Sequence, residues 1–144
     1  MNGHDSTVRL LVEALGADME AKDNAKRTPL HLAATKSHES TVRLLVETLG
    51  ADTEAEDRTG RAPLHRAVMS GNNSTVQLLV ETLGADKGAN DNAKQTPLHL
   101  AALKGHDSTI QLLVETLGAD KEAQDKLDWT SPHIAAMSGY NSTV

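Results

Sequence analysis

Cysteine and phenylalanine are absent from this chain of 144 residues, and the aromatic side chains number two, Trp129 and Tyr140. Without cysteine there is neither a disulfide framework nor a thiolate metal site, which fits an intracellular, cytoplasmic protein. So few rings weigh against a base-stacking platform and against an aromatic-lined cofactor pocket. No apolar run approaches the roughly 20 residues of a membrane span. Val8 to Leu15, broken by Arg9 and Glu13, is too short for a signal peptide. A net charge of −6 and a pI near 5.6 argue against a general nucleic-acid binder. No nucleic acid, membrane, cofactor or metal is therefore expected as a partner.

What the chain has instead is repetition. Thr28-Pro29-Leu30-His31, Ala62-Pro63-Leu64-His65, Thr96-Pro97-Leu98-His99 and Thr130-Ser131-Pro132-His133 follow one another at a step of 34 residues. A period of that size signals stacked helical units, each touching its neighbours, rather than one globular core. The length is four periods and eight residues, so the chain starts and stops at the same point inside a unit. The expected division is an N-terminal half unit (1–27), complete repeats at 28–61, 62–95 and 96–129, and a C-terminal half unit (130–144).

Residues 23–56 show how one unit is built. Pro29 suits the first turn of a helix, where its missing N–H is not needed, and Thr28 stands at the N-cap. Leu30, Ala33 and Ala34 form an apolar stripe small enough for close helix approach, ending near Thr35 or Lys36. In the second helix Val42, Leu45, Val46 and Leu49 fall at i, i+3, i+4 and i+7, with Leu44 widening the face. Glu39 or Ser40, like Asp107 or Ser108, is placed to cap it. Gly50 closes it as Gly16, Gly84 and Gly118 close theirs. Thr53 to Arg61 is polar and aperiodic and predicts a projecting hairpin.

The Thr-Pro-Leu-His-x-Ala pattern (Thr28 to Ala33, Thr96 to Ala101, and Ala62 to Ala67 with one change) and the later Leu-Gly-Ala-Asp resemble the ankyrin repeat family over nearly the whole chain. The resemblance implies an all-α solenoid of stacked antiparallel helix pairs with projecting hairpins. It also implies a concave face of hairpin tips and first helices that binds another protein. Three departures stand out. The period is 34 instead of about 33, with the extra residue placed in Glu47 to Asp52 as a slightly longer outer helix. The hairpin glycine survives only as Gly60. Lys26, Lys94 and Asp128 replace it, and because positive φ is unfavourable for them, relaxed turns are expected there. The asparagine usual after Gly-Ala-Asp-x is Glu20, Glu54, Gly88 and Glu122, which puts the family's hairpin bond at that place in doubt. In the last unit proline moves one position into the helix and the buried leucine is lost.

His31, His65, His99 and His133 lie one per unit, without carboxylates at ligand spacing, and are expected to bond turn backbone rather than a metal. His38 and His106, at the start of second helices, invite the same reading. No catalytic serine, carboxylate pair or phosphate loop stands out, so no catalytic residue is assigned. Asn73-Ser74-Thr75 and Asn141-Ser142-Thr143 match the glycosylation pattern but lie at helix starts in a cysteine-free chain. Superimposing the units shows variation concentrated at the hairpins and first-helix ends. The candidate partner-binding residues there are Arg27, Lys36, Arg58, Arg61, Arg66, Met69, Gln95, Leu103, Lys104, Leu127, Trp129 and Met137. Cations running into an apolar patch with a tryptophan suit an acidic protein partner carrying an apolar anchor. Ordinary solvated or stacking side chains are the plain alternative. Arg66 replaces Leu32, Leu100 and Ile134; either its stem packs while its charge reaches water, or it is a recognition residue.

The chain opens with an unpaired second helix (Ser6 to Leu15) and closes with an unpaired first helix (about Pro132 to Ser138). Val8, Leu11, Val12 and Leu15 should be partly bare, and burying such a side chain is worth roughly 1.5–3 kcal/mol. A piece cut from a longer array explains this, as does weak head-to-tail self-association through uncapped ends. The functional expectation is a non-catalytic scaffold binding a protein on its concave face. A recognition segment of a larger signalling protein or enzyme, or a plain spacer, are the alternatives.

Overall fold

The computed structural model describes residues 4–139, and eight α-helices form the array. They are α1 (Asp5–Arg9), α2 (Pro29–Thr35), α3 (Glu39–Arg43), α4 (Pro63–Met69), α5 (Asn73–Gln77), α6 (Pro97–Lys104), α7 (Asp107–Gln111) and α8 (Ser131–Ser138). Each second helix, α1, α3, α5 and α7, runs on without a break into a wider π-helical turn: Leu10–Ala14, Leu44–Thr48, Leu78–Thr82 and Leu112–Thr116. No strand occurs among the described residues. The fold is an all-α helical-repeat solenoid.

The π turns answer the question of the extra residue. Instead of making the outer helix longer, it widens one turn. Leu49 N–H bonds Leu44 O five residues back at 3.0 Å, and Leu15, Leu83 and Leu117 repeat that bond at 3.0–3.1 Å. A π turn is the usual way a helix absorbs one residue. The closing glycine and the Ala-Asp after it thereby keep their place in every copy. Gly50, at φ 77, turns the chain out of the helix and has nothing near a would-be Cβ.

Consecutive first helices pack in series, α2 on α4 on α6 on α8, while consecutive second helices do not approach as closely. Ala33, Ala34, Ala67, Ala101 and Ala102 are buried in that seam; small side chains there let the backbones close in. An array tighter on its first-helix side is concave on that side. The core lies between the two helix layers, with Leu30, Leu45, Leu64, Leu79, Leu98 and Leu113 wholly buried.

Thr28 and Thr96 cap α2 and α6 as their sequence position predicts, each hydroxyl accepting the backbone N–H of the histidine three residues on at 3.4 Å. Two other local expectations are corrected. The second helices are not capped by Glu39 or Ser40, nor by Asp107 or Ser108. His38, Asn72 and His106 hold the N-cap and make no side-chain cap bond. Two of those side chains reach the preceding unit: Asn72 donates to Ala34 O and Thr35 O, and His106 Nε2 donates to Met69 O at 2.9 Å. Open carbonyls at the end of a first helix are thus closed from the next repeat.

Nor do the turns lacking glycine relax. Lys26, Lys94 and Asp128 stand at φ 60, 58 and 61, in the left-handed region occupied by Gly60 at φ 76. Such a conformation costs a non-glycine residue roughly 1–2 kcal/mol. It is held by a closed hairpin. Asp23 N–H bonds Arg27 O, Lys26 N–H bonds Asp23 O, and the same pair of bonds recurs at Asp57, Asp91 and Asp125. In the last unit Ser131 takes the buried place of proline, and Pro132, where the others have leucine, is exposed.

Candidate binding surface

Four aspartates the sequence reading passed over organise the hairpins. In each, Oδ1 accepts the backbone N–H groups two and four residues on. The distances are 3.0 and 2.9 Å at Asp23, 2.8 and 3.1 Å at Asp57, 2.9 and 2.9 Å at Asp91, and 2.8 and 3.0 Å at Asp125. An aspartate that bonds its own loop in this way is a turn device with a carboxylate oxygen to spare. The signal was in the sequence all along, as an unchanged aspartate five residues before each capping position.

At three of the four, the spare Oδ2 takes an arginine from the variable set. Arg27 reaches Asp23 at 2.8 Å, Arg66 Nε reaches Asp57 at 2.8 Å, and Arg61 Nε crosses from the preceding repeat to Asp91 at 3.2 Å. The expectation that the Arg66 charge reaches water while its stem packs is corrected: the charge is spent on a wholly buried carboxylate side chain. Burial alone would raise the Asp57 carboxyl. The hydrogen bonds from Thr59, Arg66 and the Arg61 backbone outweigh it and hold the group down to about 2. Arg27, Arg61 and Arg66 are consequently poor in free charge for a partner. Arg58 is partly committed as well, its guanidinium donating to Asn24 O of the neighbouring hairpin.

The histidines are part of the frame. A backbone N–H can only donate, so the contacts from Thr28, Ala62 and Thr96 N–H at 3.0–3.1 Å make Nδ1 of His31, His65 and His99 the acceptor. Nε2 then carries the proton and donates into the loop that leads to the following first helix: to Arg61 O at 2.8 Å, Ala89 O at 3.0 Å and Trp129 O at 3.0 Å. Burial lowers the His31 and His65 pKa values and keeps both rings neutral. His133 makes the bonds to its own Thr130 at 2.8–3.1 Å but is exposed. Among the described residues no three His, Asp or Glu side chains converge as a metal site. No helix among them is long and apolar enough to cross a membrane.

Neighbouring units are also tied along the outer layer and the hairpin rim. Glu20 and Glu54 accept Asp52 N–H and Asp86 N–H at 2.9 and 3.2 Å; Gly88 has no side chain to repeat the bond. The position where the family's asparagine is missing thus keeps an inter-unit bond through a carboxylate. Asn73 donates to Ser108 Oγ at 2.9 Å and accepts from Thr109 at 2.5 Å, a scaffolding use of the first glycosylation-like sequence. The second, at Asn141, lies outside the described residues, as does Tyr140.

What remains of the variable set differs in character. Lys36, Lys104 and Lys126 are exposed and form no ion pair among the described residues. Leu127 and Met137 are exposed, and Met69, Gln95, Leu103 and Trp129 are half-buried.

Units completed by bonds from their neighbours, with helix pairs stacked in one direction, define a repeat scaffold whose working part is its surface. The family model for three consecutive ankyrin repeats matches residues 1–91 and again residues 81–144. The chain belongs to the ankyrin repeat family. It is a protein–protein interaction scaffold, and ankyrin repeats are non-catalytic. No curated protein matched it.

Proposed function

We propose that the chain binds a protein partner on its concave side, through the hairpin rim and the first helices. The observation that carries this reading is the division of labour among side chains. Positions shared by the copies are taken up by bonds within the hairpins and caps and between repeats, whereas Lys36, Lys104, Leu127 and Met137, exposed and without such bonds, fall at variable positions. Lys36 and Lys104 lie at the ends of α2 and α6. Leu127 and Trp129 stand in the last hairpin and Met137 on α8. Acidic side chains of a partner would meet the lysines, and an apolar anchor would meet the Leu127, Trp129 and Met137 side. Such centrally buried aromatic and apolar contacts dominate binding energy where they occur.

The test is a matched pair of variants against a captured partner. Lys36→Ala with Lys104→Ala should slow association and reduce its salt dependence. Trp129→Ala should raise the dissociation rate. Full retention of binding by both, with unchanged helix content, would reject the concave side. The exposed Leu10 and Leu11 of the leading π turn, with Leu15 just after it, support a second reading, end-to-end contact with α8 of another copy. A mass in solution that stays monomeric as concentration rises would dismiss it.

A further inference from the structure

The fourth hairpin breaks a rule that the other three obey. Asp23, Asp57 and Asp91 each present Oδ2 to a guanidinium, drawn from their own hairpin (Arg27), from the first helix that follows it (Arg66) or from the preceding hairpin (Arg61). Asp125 has the same Oδ1 bonds to backbone and is 94% removed from solvent, with a relative exposure of 6%. All three possible donor positions are closed to it. The counterpart of Arg27 is Trp129, that of Arg66 is Ile134, and that of Arg61 is Gln95. Oδ2 accepts no hydrogen bond among the described residues, yet it is not among their sealed, unpartnered polar atoms. It is a charged oxygen with a way out.

The surroundings of this oxygen differ from the sister sites as well. Leu127 beside it is 67% exposed, and Trp129, two residues further, is half-buried with no hydrogen bond donated by its indole N–H among the described residues. The backbone N–H of Trp129 is held by the same carboxylate, so an aromatic ring is carried in this hairpin, and a guanidinium bonds carboxylate oxygens edge-on and stacks on a ring by its flat face.

We infer that Asp125, with Trp129 and Leu127, is a recognition pocket for an arginine side chain of the protein partner. The partner's guanidinium takes the place that Arg27, Arg66 and Arg61 fill in the sister hairpins. The inference rests on the concave-side reading and sharpens it: the partner segment carries an arginine next to an apolar residue at this end of the array. Lys36 and Lys104, at the ends of α2 and α6, face its acids.

Trp129 is the sole tryptophan, so its fluorescence reports on this place alone. The probe is the peptide acetyl-Leu-Arg-Leu-amide, with citrulline for arginine as a neutral copy of the same shape. The arginine peptide should give a saturable change, and the citrulline peptide should bind at least about tenfold more weakly, the scale of one charge-assisted hydrogen bond. Gln95→Arg restores an internal guanidinium in the relation that Arg61 has to Asp91 and leaves the backbone bonds of residue 95 in place. It should weaken the arginine peptide by a similar factor. Asp125→Asn should do the same, and if that variant does not fold, Gln95→Arg carries the test by itself. Equal binding of the two peptides, or undiminished binding to Gln95→Arg, would overturn the pocket. Neither result bears on the lysine variants, which test the concave side independently.

Discussion

Leu10-Leu11-Val12-Glu13 and Leu44-Leu45-Val46-Glu47 are the same four residues in the same helical place, and they lead different lives. Leu10 and Leu11 are 53% and 46% exposed; Leu44 and Leu45 are 6% and 1%. Both segments form the π turn, so local structure is identical. The difference lies in neighbours: the inner segment has a repeat on each side and its own first helix, the leading one has neighbours on one side. Leu32 on α2 teaches the same lesson, at 42% exposed against 0% for Leu100, because among the described residues a first helix packs before α6 and none before α2. In a stacked array secondary structure belongs to the unit, while burial belongs to the interface.

The contrast should be largest for leucine truncation. Leu79→Ala in the interior removes a wholly buried side chain and should cost about 2–5 kcal/mol. Leu11→Ala, its counterpart in the leading helix, should cost less than about 1 kcal/mol because roughly half of that surface is already in water. Urea unfolding followed by helix signal measures both. Similar losses would mean that the leading face is covered in solution.

Acid should erode the interior in two stages. His31 and His65 have pKa values lowered from 6.5 by burial, so the folded state holds their neutral rings and the unfolded state protonates first. Their contribution is complete above pH 6.5 and is lost as pH falls below it. Asp57, lowered from 3.8 to about 2, adds a second loss between those values. Melting temperature against pH reads both, and His65→Gln should flatten the upper stage. A stability that stays level from pH 7 to 5 would contradict the buried neutral rings.

The smallest effect concerns the strained turns. Lys94→Gly, at φ 58, should stabilise by up to about 1 kcal/mol by removing the left-handed penalty. Gly60→Ala should do the opposite. It meets the same penalty, and its Cβ would lie 2.8 Å from the Asn92 backbone nitrogen. A neutral Lys94→Gly would show that the closed hairpin already absorbs the strain.

Much of this was legible in the chain as written. The period gave the solenoid, proline and threonine gave the first-helix starts, glycine the second-helix ends, and the histidine spacing pointed toward turn backbone. These are local matters, set by φ preference, capping and periodicity within one unit. The turns at Lys26, Lys94 and Asp128 were misjudged because a residue's own preference was weighed without the hydrogen bonds that enclose it. The caps of the second helices were misplaced because Asn72 and His106 serve the unit before them. Arginine pairing could not be read by superimposing copies, since Arg61 and Arg66 find their aspartates through different paths, one from the preceding hairpin and one from the helix that follows. Sequence by itself determined the repeat, its helices and its turns. Which charges are spent and which remain, and which leucines are covered, were decided by tertiary structure alone, because ion pairing and burial depend on what the next repeat places against each side chain.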